Sequence, residues 1–484
     1  MRLPGSSTRI SVLLAPAAVM ALLWATPAAA DVALTQISAD PFTNADAQHR
    51  TQVEPDTFQA GSTIVSAFQT GRIFGGASSD IGFAASNDNG ATWASGFLPG
   101  LTRNSQPAGP FASASDAAVA FDARHNVWLI SALGVGGPGG TLAVVTSRST
   151  DGGRTWSNPF TVATGQLDKN WIACDNGTAS PFFGNCYTEY DVTSGGNGMR
   201  MQTSTDGGMT WGPARATGDN RSGLGGQPVV QPNGTVVVPF LSGSQIRSFR
   251  STNGGATWAA TVLVATVAHH ETAGGLRSEA LPSAEIDSAG AVYVAWSDCR
   301  FRPGCPANDV VVSKSTNGTT WAAPIRVPID ATTSTVDHFV PGIGVDRNTS
   351  GATARVGVTY YFYPTANCTA ATCDMRIGFI SSTNGGTSWS APTQLVGTMR
   401  LAWFPNTSQG RMFGDYISTS VIAGGGRAFP VLAVATAPTG TTFNESMFVP
   451  TGGLPITGGT ARATTAPAFT VSADSRYVAP STVN

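Results

Sequence analysis

The sequence predicts an all-β chain folded as a single β-propeller of four-stranded antiparallel blades. Three observations carry this expectation. A turn motif of eight residues, seven in one copy, recurs six times, its copies lie 47 to 67 residues apart, and runs of β-forming residues precede each copy while no stretch beyond residue 30 reads as a strong helix. That spacing suits one four-stranded blade per copy.

The copies are Ser86-Asn87-Asp88-Asn89-Gly90-Ala91-Thr92-Trp93, STDGGRTW at 149–156, STDGGMTW at 204–211, STNGGATW at 251–258, STNGTTW at 315–321 and STNGGTSW at 382–389. Asp or Asn at the third position can accept hydrogen bonds from the turn's own amides, and glycine supplies the positive φ of a tight hairpin. The closing Trp offers a large apolar surface to neighbouring strands. These copies resemble the BNR or Asp-box repeats of sialidase-like propellers. The resemblance implies that each box joins the third and fourth strands of a blade, on the face opposite the ligand site.

Strand-like runs such as 235–240 (TVVVPF), 291–296 (AVYVAW), 309–314 (DVVVSK) and 355–362 (RVGVTYYF) place six blades near 51–100, 113–163, 167–217, 223–264, 281–328 and 338–396. Three further runs without a box, 411–420, 426–435 and 447–450, supply most of one more. The early strand 32–37 would complete it and close the ring, hiding two sheet edges. Seven blades are therefore favoured, with six and a C-terminal appendage as the alternative. The propeller is expected over 31–453, with 454–484 a tail or closing segment. Leu454-Pro455-Ile456-Thr457-Gly458 spells a wall-anchoring signal, but no apolar segment or basic end follows it, so it reads as a loop.

Residues 1–30 read as a secretory signal: Arg2 and Arg9, an apolar run, then Ala28-Ala29-Ala30, with cleavage after Ala30. No later segment approaches eighteen uninterrupted apolar residues. A soluble, secreted, monomeric protein without a membrane span is expected. Charged residues are 12% of the chain and the net charge is −2, which excludes the basic footprint of a nucleic-acid binder. Six cysteines fall as Cys174 with Cys186, Cys299 with Cys305 and Cys368 with Cys373, a spacing that suggests three local disulfides. Zinc is the weaker reading, since no pair has CxxC spacing.

In a propeller the first strand of each blade lines the central channel. Where these strands start, the sequence offers Glu54, Asp116, Asp168-Lys169-Asn170-Trp171, Gln227, Glu279, Asp337-His338-Phe339 and Asp415-Tyr416, with Arg277 and Arg411 close by. Convergent carboxylates with Lys, His and Tyr are the ingredients of acid/base work on a sugar. Asp168, Lys169, Asp337, His338, Asp415 and Tyr416 are the catalytic candidates; Glu54, Asp116, Trp171, Arg277, Glu279 and Arg411 are the substrate-binding ones. No cofactor is required by this chemistry, although carboxylates at a channel mouth could hold a structural calcium. Sialidases proper grip a substrate carboxylate with three arginines, the first in an Arg-Ile-Pro type motif, and this chain has only Arg72-Ile73-Phe74. The expected partner is an extracellular glycan or glycoconjugate, handled by a glycoside hydrolase, a polysaccharide lyase or a non-catalytic binding propeller.

Overall fold

The computed structural model describes Met1 and residues 32–465. Apart from Met1, the expected export signal at 1–30 lies outside the described residues. Six successive four-stranded antiparallel units follow one another along the chain, the first two joined into one eight-stranded sheet by the pairing of Ser78 with Ala114. The first contains Gln52–Ala60, Thr63–Arg72, Ser78–Ser86 and Ala94–Phe97; the second Ser113–Asp122, Val127–Val135, Leu142–Ser149 and Phe160–Gly165. The third contains Leu167–Cys174, Cys186–Val192, Gly198–Ser204 and Arg215–Ala216; the fourth Val229–Val230, Val236–Ser242, Gln245–Ser251 and Val262–Thr266. The fifth contains Ser283–Ile286, Val292–Asp298, Asp309–Ser315 and Ile325–Arg326; the sixth Asp337–Val345, Val356–Tyr363, Asp374–Ser382 and Thr393–Arg400. Second strands such as Val292–Asp298 are buried at every position, which is why they read as continuous apolar runs rather than alternating ones.

The remaining strands tie the chain's two ends together. Leu34–Gln36 pairs with Thr442–Pro450, which pairs in turn with Leu432–Thr439, so the early strand does join the last long one as the leftover material predicts. Beside them, Thr419–Val421, Arg427–Pro430 and Leu454–Pro455 form a three-stranded sheet. One hydrophobic cluster gathers Phe68 and Ala84 of the first sheet, Tyr361 and Phe379 of the sixth, and Leu432, Met447 and Val449 of the terminal strands. Sharing that core holds the ends of the series together through apolar burial.

After Pro450 the chain crosses three sheets in sequence. Leu454–Pro455 pairs with Arg427 and Ala428, Ala461–Arg462 with Ser388–Trp389, and Thr464–Thr465 with Ile325–Arg326. Leu454 and Ile456 are buried. The anchoring-like pentapeptide thus begins as a short paired strand, and its Leu454 and Ile456 side chains point inside.

The repeated turns share one hydrogen-bond pattern. Asp151 Oδ1 accepts from the Arg154 and Thr155 amides at 3.0 Å each, Oδ2 accepts from the Thr155 hydroxyl at 2.6 Å, and the Gly153 amide donates to Ser149 Oγ at 2.9 Å. In two of the copies with Asn in place of Asp the hydroxyl reverses its role: Asn253 Nδ2 donates to Thr257 Oγ1 at 2.8 Å and Asn384 Nδ2 to Ser388 Oγ at 2.9 Å. In the shortened copy, Asn317 Oδ1 still accepts the Thr319 and Thr320 amides at 2.9 Å each. Gly153 stands at φ 81°, and a Cβ there would come within 2.6 Å of Val65 in the preceding sheet. Glycine is needed at this position both for the turn and for the close approach. All six cysteines form the three expected disulfides.

Candidate functional site

Four first strands carry a β-bulge, and each bulge places a non-glycine residue in the left-handed region. The residues are Glu54 (φ 55°), Asp116 (49°), Lys169 (53°) and Val340 (45°), at register breaks between Val53 and Asp56, Ser115 and Ala118, Asp168 and Trp171, and Phe339 and Gly342. A bulge bends its strand and re-aims the extra side chain. Such backbone costs about 1–3 kcal/mol per residue and persists only where the surroundings impose it. Three of the four bulges send an ionisable side chain to the same place.

That place is a chamber of about 80 Å³, lined by Glu54, Asp116, Asp168, Lys169, Arg277, Glu279 and Asp415 together with Arg72, Gly76, Ala77, Gln409 and Met412. Its walls come from the starts of first strands, the loop after the first sheet's second strand, and the connections between sheets. In an antiparallel meander these lie at the end opposite the third-to-fourth-strand turns.

Lys169 is the hub. Its ammonium donates to the Asp415 carboxylate and stands 3.6 Å from Asp116 Oδ1 and 3.9 Å from Glu54 Oε1. Arg277 donates to the same Asp415 oxygen. Glu54 accepts from the Gln69 side chain and, at 3.1 Å, from the Asp415 amide. Arg72, only 2% exposed, donates to Gln69 Oε1 at 2.8 Å and to the Ala77 carbonyl at 2.7 Å, which stiffens the wall behind Glu54.

These contacts drive the carboxylates apart in acidity. Burial pushes Glu54 up to about 7, against the Lys169 cation and with help from Asp415 and Asp116. Asp168 rises to about 6 through burial and the Asp116 charge. For Asp415 burial acts upward too, but Arg277 and Lys169 outweigh it and hold the group at about 2. Lys169 itself is held well above its ordinary range: burial disfavours the cation, but Asp415, Asp116 and Glu54 prevail. Near neutral pH the chamber thus contains a carboxyl that can give up a proton and a carboxylate that stays ionised.

The other sequence candidates are placed differently. Trp171 and Tyr416 meet edge to face at 4.9 Å farther along the strands, outside the chamber lining. The Tyr416 hydroxyl donates to the Ala117 carbonyl at 3.2 Å, and burial followed by the surrounding carboxylates keeps it protonated. Arg411 points its guanidinium at the Phe404 carbonyl, 2.7 Å away, while its own carbonyl accepts the Arg277 amide at 2.8 Å. It positions Arg277 rather than lining the chamber.

Asp337 and His338 are not brought into the chamber. Asp337 Oδ1 accepts the Asn308 amide at 2.7 Å and Oδ2 lies 3.4 Å from His270 Nδ1. His338 is buried beside Tyr360, with Nδ1 at 3.0 Å from the Asn308 carbonyl. In this sheet the bulge residue is Val340, so the ionisable pair precedes the bulge instead of occupying it. Residues that sequence reasoning missed are Gln69, Arg72 and the cross-strand neighbour of Asp168, Asp191, which is fully buried.

Asp309, Asp330 and His338 each bring one potential metal-ligand atom within 4.8 Å of the others. The same two carboxylates are already bridged by guanidinium groups: Arg302 to Asp309 at 2.7 Å and to Asp330 at 2.9 Å, and Arg326 to Asp309 at 2.8 Å and also to Asp330. Two arginines balance the two aspartates, so a divalent cation would add uncompensated charge to a buried site. A larger cavity of about 270 Å³ follows the first strands beyond Trp171. There Arg347 pairs with Glu285 at 2.9 Å, whereas the smaller chamber gathers several buried carboxylates around buried cations, so the smaller chamber is the candidate site.

Repeated four-stranded antiparallel sheets, each turned by the same short motif, define a propeller-like repeat protein. The chain belongs to the BNR repeat-like domain family, whose profile matches residues 63–284 and 140–344, more than half of the sequence. Among solved structures it is similar to a protein of unknown function from Dyadobacter fermentans, at 18% identity and a TM-score of 0.48, over 74% of this chain and 100% of that one. It is also similar to the Hadza microbial sialidase Hz136, at 15% identity and a TM-score of 0.40, over 83% of this chain and 65% of that one. A polysaccharide lyase of family 25, an ulvan lyase, shares 12% identity with a TM-score of 0.48, over 84% of this chain and 94% of that one. Comparison with curated proteins finds no match.

Proposed function

We propose that this is an exported propeller of seven sheets that acts on an acidic extracellular glycan in the chamber around Lys169. The observation that carries the reading is the convergence of Glu54, Asp116, Lys169, Arg277 and Asp415 from remote parts of the chain onto one small cavity. Pairing of Leu34–Gln36 with Thr442–Pro450 supports the seventh sheet, and three disulfides support an oxidising compartment.

The chemistry follows from the separated acidities. Glu54, with its proton held to about pH 7, is the candidate general acid, and Asp168 is its neighbour in that role. Asp415 remains an anion beside any developing positive charge. Arg72, Arg277 and Lys169 bring three cations to the wall, a setting for a carboxylate or sulfate borne by the sugar. A sialidase and an ulvan lyase are among the similar structures, so sialosides and uronic-acid polysaccharides are the ligands to try first.

A non-catalytic binding role is the second reading. It is favoured by the closed ion pairs of Asp415 and by the burial of Glu54, which is 1% exposed. Turnover assays on both ligand classes, with Glu54→Gln and Asp415→Asn alongside wild type, separate the two. Catalysis lost in both folded variants supports the enzyme; saturable binding without product supports the binder. Turnover unchanged in both variants would remove the chamber from the chemistry.

A further inference from the structure

Among the described residues, the large apolar side chains counted as exposed include a single aromatic ring, that of Phe74, at 52% exposure. Isolated exposed hydrophobics are ordinary on protein surfaces. The placement of this one is not. Its loop joins the first sheet's second and third strands, and Arg72 before it and Gly76 and Ala77 after it all line the chamber. Across from it, the Ser408 amide donates to the Phe74 carbonyl at 2.9 Å, and the next residue, Gln409, is again a chamber residue. Phe74 therefore stands on the lip, between two segments of chamber wall.

The lip is built to hold its shape. The Ile73 amide donates to the Ala77 carbonyl at 3.0 Å, the Gly76 amide donates to the Ile73 carbonyl at 3.1 Å, and Ile73 bridges to Ala47. Ala77 sits at φ 61°, a conformation that an alanine adopts only under constraint. A rigid tight turn thus carries an apolar face beside a pocket whose own walls are polar. A pyranose has the matching pair of surfaces: hydroxyl and acidic groups around its edge, and a face of C–H groups that an aromatic ring covers well.

We propose that Phe74 is a stacking platform for the sugar ring adjoining the one held in the chamber, so that the ligand is an oligosaccharide rather than a single sugar. This rests on the glycan reading above and extends it to ligand length. The chamber supplies the polar recognition and the lip supplies apolar contact one residue along.

The test is isothermal titration of the full-length mature protein with an acidic oligosaccharide (3′-sialyllactose or a glucuronate tetrasaccharide) and with the corresponding free acidic sugar. Phe74→Ala is expected to weaken the oligosaccharide about tenfold, the size of one lost aromatic contact, and to leave the single sugar within about twofold. Phe74→Tyr is expected to restore binding. If Phe74→Ala binds an oligosaccharide like wild type while Asp415→Asn does not, the platform is refuted and the chamber reading stands. If wild type binds neither oligosaccharide, the glycan reading fails and the platform falls with it.

Discussion

Replacing Asp415 by Asn removes one charge from the chamber and almost no volume. Lys169 and Arg277 both donate to this carboxylate, and the side chains of Asp415 and Lys169 are only 7% and 8% exposed. Removing one member of a buried ion pair strands the other, at a cost of about 3–5 kcal/mol. Lys169 is not left alone, because Asp116 at 3.6 Å and Glu54 at 3.9 Å remain. At an effective dielectric near 20 each such contact is a gross attraction of about 4 kcal/mol, which places the expected loss at the lower end, about 3 kcal/mol. Urea unfolding of wild type, Asp415→Asn, Lys169→Met and the double variant measures this directly, provided the slopes agree. The double variant is expected to fall short of the sum of the single ones by about 2 kcal/mol or more. Strictly additive losses, or an Asp415→Asn variant within 1 kcal/mol of wild type, would refute the idea that Lys169 is the electrostatic hub.

Other consequences are open to measurement. Glu54, Asp56 and Asp80 are raised by burial to about 7 and Asp168 to about 6, so the folded chain binds protons that the unfolded chain has released. Their contribution to stability is present below about pH 4 and is lost as pH rises toward 7. Asp415, held at about 2, contributes in the opposite sense, losing its share as pH falls from 4 to 2. Urea midpoints are expected to peak near pH 4–5 and decline toward 8, with a smaller decline in Glu54→Gln; a steady rise from pH 5 to 8 would contradict this. Asp151→Ala removes an acceptor used by two amides and a hydroxyl and is expected to cost about 1 kcal/mol by the same denaturation assay, in line with loss of a helix cap. Ending the chain at residue 453 removes the buried Leu454 and Ile456 and is expected to cost about 3–5 kcal/mol, read as a lower urea midpoint.

Strands and turns were legible because their signals are local. The box residues specify their own hairpins, and the apolar runs before them are strands wherever both faces are covered. Pairing of 32–37 with the last long strand was legible for a different reason, since it was the one piece left over for an otherwise unpaired edge. The chamber was read in part. Lys169, Arg277 and Asp415 stand at or near strand starts, where polar residues mark a channel mouth, but neighbouring positions carry the same mark, and Asp337 and His338 share it. What selects Glu54, Asp116 and Lys169 is the bulge, a one-residue register break. Val340 at the fourth bulge has no resemblance to the other three. Arg72 does not stand out in the sequence, where Phe74 takes the place of the motif's proline; its side chain reaches the wall from the far end of a second strand, a position defined only once the hairpin is folded.

The bond between Thr35 Oγ1 and Thr451 Oγ1, 2.9 Å long, joins residues 416 apart in sequence. A ribosome delivers the first of these partners long before the second. Until synthesis reaches Thr442–Pro450, the opening strand lacks its pairing partner, and Phe68 and Ala84 of the first sheet lack the Met447 and Val449 with which they share a core. A nascent or prematurely terminated chain therefore resembles an unfastened belt, with unpaired edges accessible to proteases and to other chains. The arrangement gives the cell a length check: only a chain translated through the final strands can bury its own beginning.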